Sequence, residues 1–323
     1  MIRDAGADDR ALVAALRDGA RSPAELADEL DLELDAVAEK LASLVRAGAA
    51  DAAPERPVAL PPALAARFDR QLPYLAEHGD AGAAQLRLRR ARVAVLGCGG
   101  LGTWALGALA AAGVGRFVLA DDDTIELSNL NRQVLYGAAD VGALKVDRAA
   151  GWLRRFDPEL EVEAVPLEVA SARDVAGLLD GVDALVQTAD RPPYRVVRWV
   201  DEACRAAGVP YVIGGQRSPV LKVGPTFVPG VTACFACHET ALARDFPLYP
   251  ELARRRDEQP ERATTLGPAS GIAGTLIASE VMHLLLGRAV ATAGRALLLD
   301  LRTLATRWEA VERDPHCRAC GGA

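Results

Sequence analysis

No uninterrupted apolar run in this 323-residue chain reaches about eighteen residues, so no membrane span is expected. A surplus of positive charge is also missing. Lys and Arg number 37 against 44 Asp and Glu, a net of −7, which argues against a general binder of nucleic acid or of a membrane surface. Residues 1–8 hold no apolar signal core, so the chain reads as soluble and cytoplasmic. Histidine is scarce, four in all, and no clear His or Cys catalytic pair stands out. No internal repeat and no coiled-coil pattern is found. What is present is apolar mass: half of the residues, enough for a large core plus a small extra domain.

The chain is organised around residues 92–145. Residues 92–96, Arg-Val-Ala-Val-Leu, read as a buried parallel strand. Gly97-Cys98-Gly99-Gly100-Leu101-Gly102 follows, then a small-residue helical run closed by Gly113. Strand, glycine turn, helix is an order that points backbone N–H groups and a helix N-terminus at a phosphate. Gly97, Gly99 and Gly102 satisfy the dinucleotide spacing, and Asp121-Asp122-Asp123 closes the next strand where a ribose carboxylate belongs. A tight turn without ligand is the bland alternative. Ser128-Asn129-Leu130-Asn131-Arg132-Gln133 and then Lys145 add two cations that can reach a triphosphate. Each alone reads as a solvated charge; together, behind this turn, they suggest ATP.

Alternating helix and strand patterns continue: helix 143–156, strand 161–165, helix 172–179, strand 184–187, helix 193–207 and strand 211–213. Asp190 sits just beyond a strand's carboxyl end, the edge where open parallel sheets bind ligands. It can hold Mg2+ or cap the following helix; both readings stand. Two C-x-x-C pairs, Cys234/Cys237 and Cys317/Cys320, can present four thiolates to a structural Zn2+, with redox motifs or free thiols as the alternative. Residues 241–265 read as a long polar loop or flap. It contains no cysteine, which weakens the idea of an enzyme-bound thioester there. A helix at 266–285 and strands at 297–302 and 305–310 close the chain.

Residues 1–60 read as a separate helical domain. Ser22-Pro23-Ala24-Glu25 is a helix start with a capping box, and residues 34–47 carry an apolar face before Gly48. Helix, turn, helix suggests DNA binding, but the segment holds seven Lys/Arg and thirteen Asp/Glu, so it cannot neutralise phosphates. A peptide clamp, a structural or dimerisation role and DNA binding remain as alternatives. Residues 51–62 read as a proline-rich linker.

From about residue 67 onward the chain resembles the adenylating fold of ubiquitin-activating enzymes and their bacterial relatives, which adenylate molybdopterin and thiamine sulfur carriers. The likeness is carried by the glycine turn, the Asp triplet, Ser-Asn-Leu-Asn-Arg-Gln and Lys145. Thr188-Ala189-Asp190-Arg191-Pro192, Gly224-Pro225, Val228-Pro229-Gly230 and the added N-terminal domain resemble the microcin C peptide-adenylating branch. The resemblance implies an α/β, doubly wound, mostly parallel Rossmann-like sheet at 61–323. It also implies a winged-helix-like, leader-clamping domain at 1–60 and a C-terminal zinc knuckle. It assigns Arg70, in Arg67-Phe68-Asp69-Arg70-Gln71, to the ATP site of the partner in a homodimer. Asp190 would hold Mg2+; Arg70, Arg132 and Lys145 would stabilise phosphate charge. Asn129 and Gln133 would position phosphates, and Gly97, Gly99, Gly100, Gly102, Asp121 and Asp123 would hold the nucleotide. The implied reaction is adenylation of a peptide's C-terminal carboxylate, with a sulfur carrier as the alternative substrate. A nicotinamide dehydrogenase would leave Arg132 and Lys145 idle; a non-catalytic leader-binding partner would not need the ATP residues.

Overall fold

The computed structural model describes residues 7–16, 21–46, 57–217, 219–259 and 264–321. They divide into two compact units, Met1–Leu86 and Arg87–Ala323. In the first, helices α1 (Ala7–Leu16), α2 (Pro23–Leu30) and α3 (Leu34–Arg46) precede α4 (Pro62–Phe68), α5 (Leu72–Ala76) and α6 (Ala81–Arg90), the last running across the boundary. The expected capping box is formed: Ser22 Oγ accepts from the Glu25 N–H at 3.2 Å and Glu25 Oε2 from the Ser22 N–H at 2.7 Å. Leu12, Leu26 and Val37 are buried together, one apolar position from each of the first three helices. The first half of the expected 51–62 linker, residues 51–56, and residues 47–50 after α3 lie outside the described residues.

The second unit is one eight-stranded sheet in the order β3-β2-β1-β4-β5-β6-β7-β8. Its elements in chain order are β1 (Arg92–Leu96), α7 (Gly100–Ala112), β2 (Arg116–Ala120), α8 (Lys145–Phe156), β3 (Glu161–Val165), α9 (Ala172–Ala176), β4 (Ala184–Gln187), α10 (Arg195–Ala207), β5 (Tyr211–Arg217), β6 (Val220–Phe227), α11 (Phe235–Asp245), α12 (Tyr249–Glu258), α13 (Gly267–Leu286), β7 (Arg295–Asp300) and β8 (Thr306–Ala310). The strands β3, β2, β1, β4 and β5 pair in parallel; β6, β7 and β8 add on antiparallel. This is the expected doubly wound α/β sheet. Val93 and Val95 enter one core with α7, α8 and α13, while Ala94 and Leu96 enter the other with α9 and α10. Both faces of β1 are covered, which is why its sequence is apolar throughout rather than alternating.

Two expectations change. Residues 241–265 are not an open loop: α11 and α12 fill most of the stretch, and residues 260–263 lie outside the described set. Helix α10 starts at Arg195, not at residue 193, so Asp190 is too far upstream to be its cap. Helix α13 is long and apolar enough by composition to cross a membrane. It is instead a core helix, burying Ala269, Ala273, Ile277 and Val281 against α7 and the sheet. Its length is as expected from the sequence, within a residue at each end, and buried Glu280 accepts from the Thr292 N–H and hydroxyl at 2.6 Å.

Candidate active site and metal centre

The order of strand addition reverses at β1, which lies between β2 and β4, and such a switch point opens a crevice beyond the strands' carboxyl ends. The glycine turn fills that place. Gly97 has φ +95°, and a Cβ there would stand 2.6 Å from the Ala189 nitrogen at the end of β4. A Cβ on Gly102 would stand 1.9 Å from the Gly97 carbonyl oxygen. Both positions require glycine by close approach, and together they keep the N-terminus of α7 bare. Gly102→Ala is expected to lower stability by about 1–3 kcal/mol through overpacking, read from the urea midpoint at unchanged slope.

The other residues gather around this turn. The Arg132 methylenes and Ser270 Oγ of α13 lie 3.4 and 2.9 Å from the position of a Gly100 Cβ, and Gln133 Nε2 lies 3.9 Å from that of Gly99. Gln133 is buried, and its Oε1 has no hydrogen-bond partner among the described residues. Arg132 is held back by the Ser128 carbonyl at 2.9 Å and Asn131 Oδ1 at 3.0 Å. Asn129 is buried and spends its Oδ1 on the Glu126 N–H, a turn-forming contact.

Asp121 follows β2 directly. Its carboxylate accepts from the Cys98 N–H at 2.6 Å and the Asp123 N–H at 2.9 Å. Lys145, the first residue of α8, is buried; its Nζ lies 2.5 Å from Asp123 Oδ2 and 3.9 Å from Asp121 Oδ1. Burial raises the Asp121 carboxyl above its ordinary range, and the Lys145 ammonium opposes that rise. Tyr136, which sequence reasoning missed, donates its hydroxyl to the Cys98 carbonyl at 2.8 Å and bridges to that of Lys145 at 3.3 Å. It ties turn to helix from within the core, and nothing local in the sequence marks it. Thr188 Oγ1 likewise donates to the Gly97 carbonyl at 2.8 Å. Asp190 is exposed, next in the chain to Ala189. Arg70 belongs to the N-terminal unit, between α4 and α5, with its side chain fully exposed. Burial pushes the Cys98 thiol well up, and Cys204 up to about 12; neither is poised as a thiolate.

Cys234, Cys237, Cys317 and Cys320 converge, their sulfurs all within 4.8 Å of one another. The contacts are 3.7, 3.6 and 3.5 Å for the pairs 234–237, 234–317 and 237–320. A tetrahedron with Zn–S of about 2.3 Å has edges of about 3.8 Å, so the four thiols fit zinc. Cys234 precedes α11 and Cys237 lies in its first turn, where the helix dipole favours thiolate. Asp201 of α10 accepts from the Phe235 N–H, the Tyr211 hydroxyl and Arg205, and Arg205 donates onward to the Ala319 carbonyl. The cluster thus pins the C-terminal segment to the sheet domain.

Residues 68–320 match the ThiF family. The SAMP-activating enzyme E1 of Haloferax volcanii is 35% identical over 263 residues, covering 79% of this chain and 88% of that protein. The molybdopterin-synthase adenylyltransferase of Escherichia coli is 31% identical over 255 residues, covering 79% and 96%. The crystal structure of E. coli MccB with ATP superposes with a TM-score of 0.76 at 24% identity, covering 97% of this chain and 90% of that one, which is a likeness of fold. With most of its length matched, the chain belongs to the ThiF family of adenylyltransferases.

Proposed function

We propose that the enzyme uses Mg·ATP to adenylate the C-terminal carboxylate of a ribosomal peptide in natural-product biosynthesis. The supporting observation is the extra N-terminal unit. The family match starts at residue 68, whereas the likeness to MccB, solved with its peptide MccA, extends over 97% of the chain. The helices at the N-terminus then serve as a peptide clamp. In the reaction a carboxylate oxygen attacks the α-phosphorus, the bond to the bridging oxygen breaks, and pyrophosphate leaves. A carboxylate is already ionised at neutral pH, so no general base is needed. Catalysis is positioning and charge stabilisation.

In this reading the bare N-terminus of α7, with Gly97, Gly99, Gly100 and Gly102, cradles phosphate, and Asp121 holds the ribose. Lys145 leaves Asp123 for phosphate oxygens. Arg132 swings from Ser128, and Gln133, donating from its Nε2 beside the turn, positions phosphates together with Asn129. Asp190 would hold Mg2+, which neutralises phosphate charge. Arg70 reaches the site of a second copy in a homodimer. The four cysteines hold a structural zinc, and the enzyme works in the cytoplasm.

A second reading, activation of a ubiquitin-like sulfur carrier, draws on the higher sequence identity to the carrier-activating relatives. ATP–pyrophosphate exchange decides between them. Exchange driven by peptides with a free C-terminus, and abolished by C-terminal amidation, supports the first reading. Exchange driven by a sulfur-carrier protein alone moves the chain to the second. Exchange with neither rejects both.

A further inference from the structure

The polar stretch after the first cysteine pair has a role that the nucleotide residues do not explain. Asp257, near the end of α12, is almost wholly buried, its side chain 5% exposed. Its Oδ1 accepts from the backbone N–H groups of Tyr194 and Arg195, at 2.8 and 3.2 Å. These lie at the start of α10, where N–H groups have no partner within the helix. An aspartate is a strong cap, but this one comes from a different helix. Arg195 and Arg198 stand 3.8 Å from Asp257 Oδ2 and supply its countercharge. Helix α12 also takes hold of the Tyr194 side chain. Arg256 Nη1 donates to its hydroxyl at 3.2 Å, and the Tyr249 ring meets it edge-on with centroids 5.8 Å apart.

The short segment carrying Asp190 therefore runs between two fastenings. Upstream, Gln187 brackets Ala189 with its side-chain amide, and Thr188 bonds back to the glycine turn. Downstream, α12 holds Tyr194 and Arg195. Asp190 and Arg191 are exposed between them. A carboxylate on such a span points where its ends direct it, and groups that orient a metal's ligands alter the metal's affinity without touching it.

We propose that Asp257 is a positioning residue. By capping α10 from α12 it sets the Asp190 segment for a divalent cation with a triphosphate, so that docking of α12 and metal–nucleotide binding are coupled. This rests on the reading of Asp190 as the cation-holding carboxylate.

The test is calorimetric titration of the full-length protein with ATP, with and without Mg2+, alongside amide hydrogen exchange in the absence of nucleotide. Wild type binds ATP more tightly with Mg2+ than without. Asp257→Ala loses roughly 10-fold or more of that gain and binds metal-free ATP as wild type does. Asp257→Asn keeps a cap acceptor and retains most of the gain. Exchange at Tyr194 and Arg195 accelerates in the alanine variant and not in the asparagine one, while β1 stays protected. If wild type itself gains nothing from Mg2+, the Asp190 assignment falls and this inference with it. If wild type gains and Asp257→Ala gains as much, the inference alone falls. It also falls if Asn behaves as Ala. Should Asp257→Ala lose protection throughout the domain, Arg256→Ala, which loosens Tyr194 without removing a buried carboxylate, is read by the same two measurements. An unchanged gain from Mg2+ there overturns the coupling.

Discussion

Lys145→Ala is expected to lower the rate of ATP–pyrophosphate exchange by on the order of 10²-fold or more, the usual loss when one preorganised charge-stabilising group is removed. The position explains the size. Lys145 opens α8, is almost fully buried, and stands between the Asp121 and Asp123 carboxylates. In a site with little water, an ammonium held near a triphosphate opposes the charge that grows as pyrophosphate leaves. Arg132→Ala should show a comparable loss, because its methylenes lie over Gly100 and its head is held by the Ser128 carbonyl and Asn131 Oδ1. The two variants differ in what they leave behind. Removing Lys145 strips Asp121 of the cation that opposes its burial-driven rise, so some loss of melting temperature accompanies the loss of rate. Arg132 is half exposed, and its removal should leave the melting temperature nearly unchanged. Steady-state exchange at saturating ATP, with thermal melts of both proteins, checks this. Wild-type rates in both variants would remove these residues from the reaction.

The second large effect concerns metal. Purified protein should carry about one Zn2+ per chain in a closed four-thiolate site, and stripping it with a strong chelator should lower the melting temperature steeply. Structural zinc binding contributes on the order of 10 kcal/mol of folding free energy in small domains. Only part of that appears here, because the sheet buries its own large core. What the metal holds is local: residues 317 and 320 against 234 and 237, with Arg205 and Arg313 bonded to the carbonyls of Ala319 and Cys320. Limited proteolysis should therefore cut the C-terminal segment first. Cys317→Ser should reproduce both effects, because it removes one of the four thiolates. A wild-type protein that is free of zinc and melts at the same temperature with chelator would sink the assignment.

Much of the site could be read from spacing. Gly97, Gly99 and Gly102 between a strand and a helix, Asp121 after the next strand, and Lys145 opening α8 are local patterns with local causes. The paired cysteines showed their ligand chemistry, although the eighty or so residues between the pairs left the pairing open until the sulfurs were seen within 4.8 Å of one another. Other residues gave no signal. Tyr136 and Ser270 look like ordinary core and helix positions, yet they brace the glycine turn through contacts distant in sequence. The polar stretch after Cys237 read as a loop because Arg and Glu crowd it. Those charges instead pair along helix α12, as Arg254 does with Glu251 and Glu258.

The sequence by itself determined the strand–turn–helix unit and the set of four thiols. Each follows from backbone freedom, periodicity or ligand type over a few residues. Only the tertiary structure decided that β1 lies beside β4, which brings the glycine turn against Thr188 and Ala189. It also decided that a carboxylate of α12 caps α10. Strand order and cross-helix caps are set by packing across long sequence separations. Hydrophobic burial, which has no direction of its own, leaves no local mark of which partner will be met.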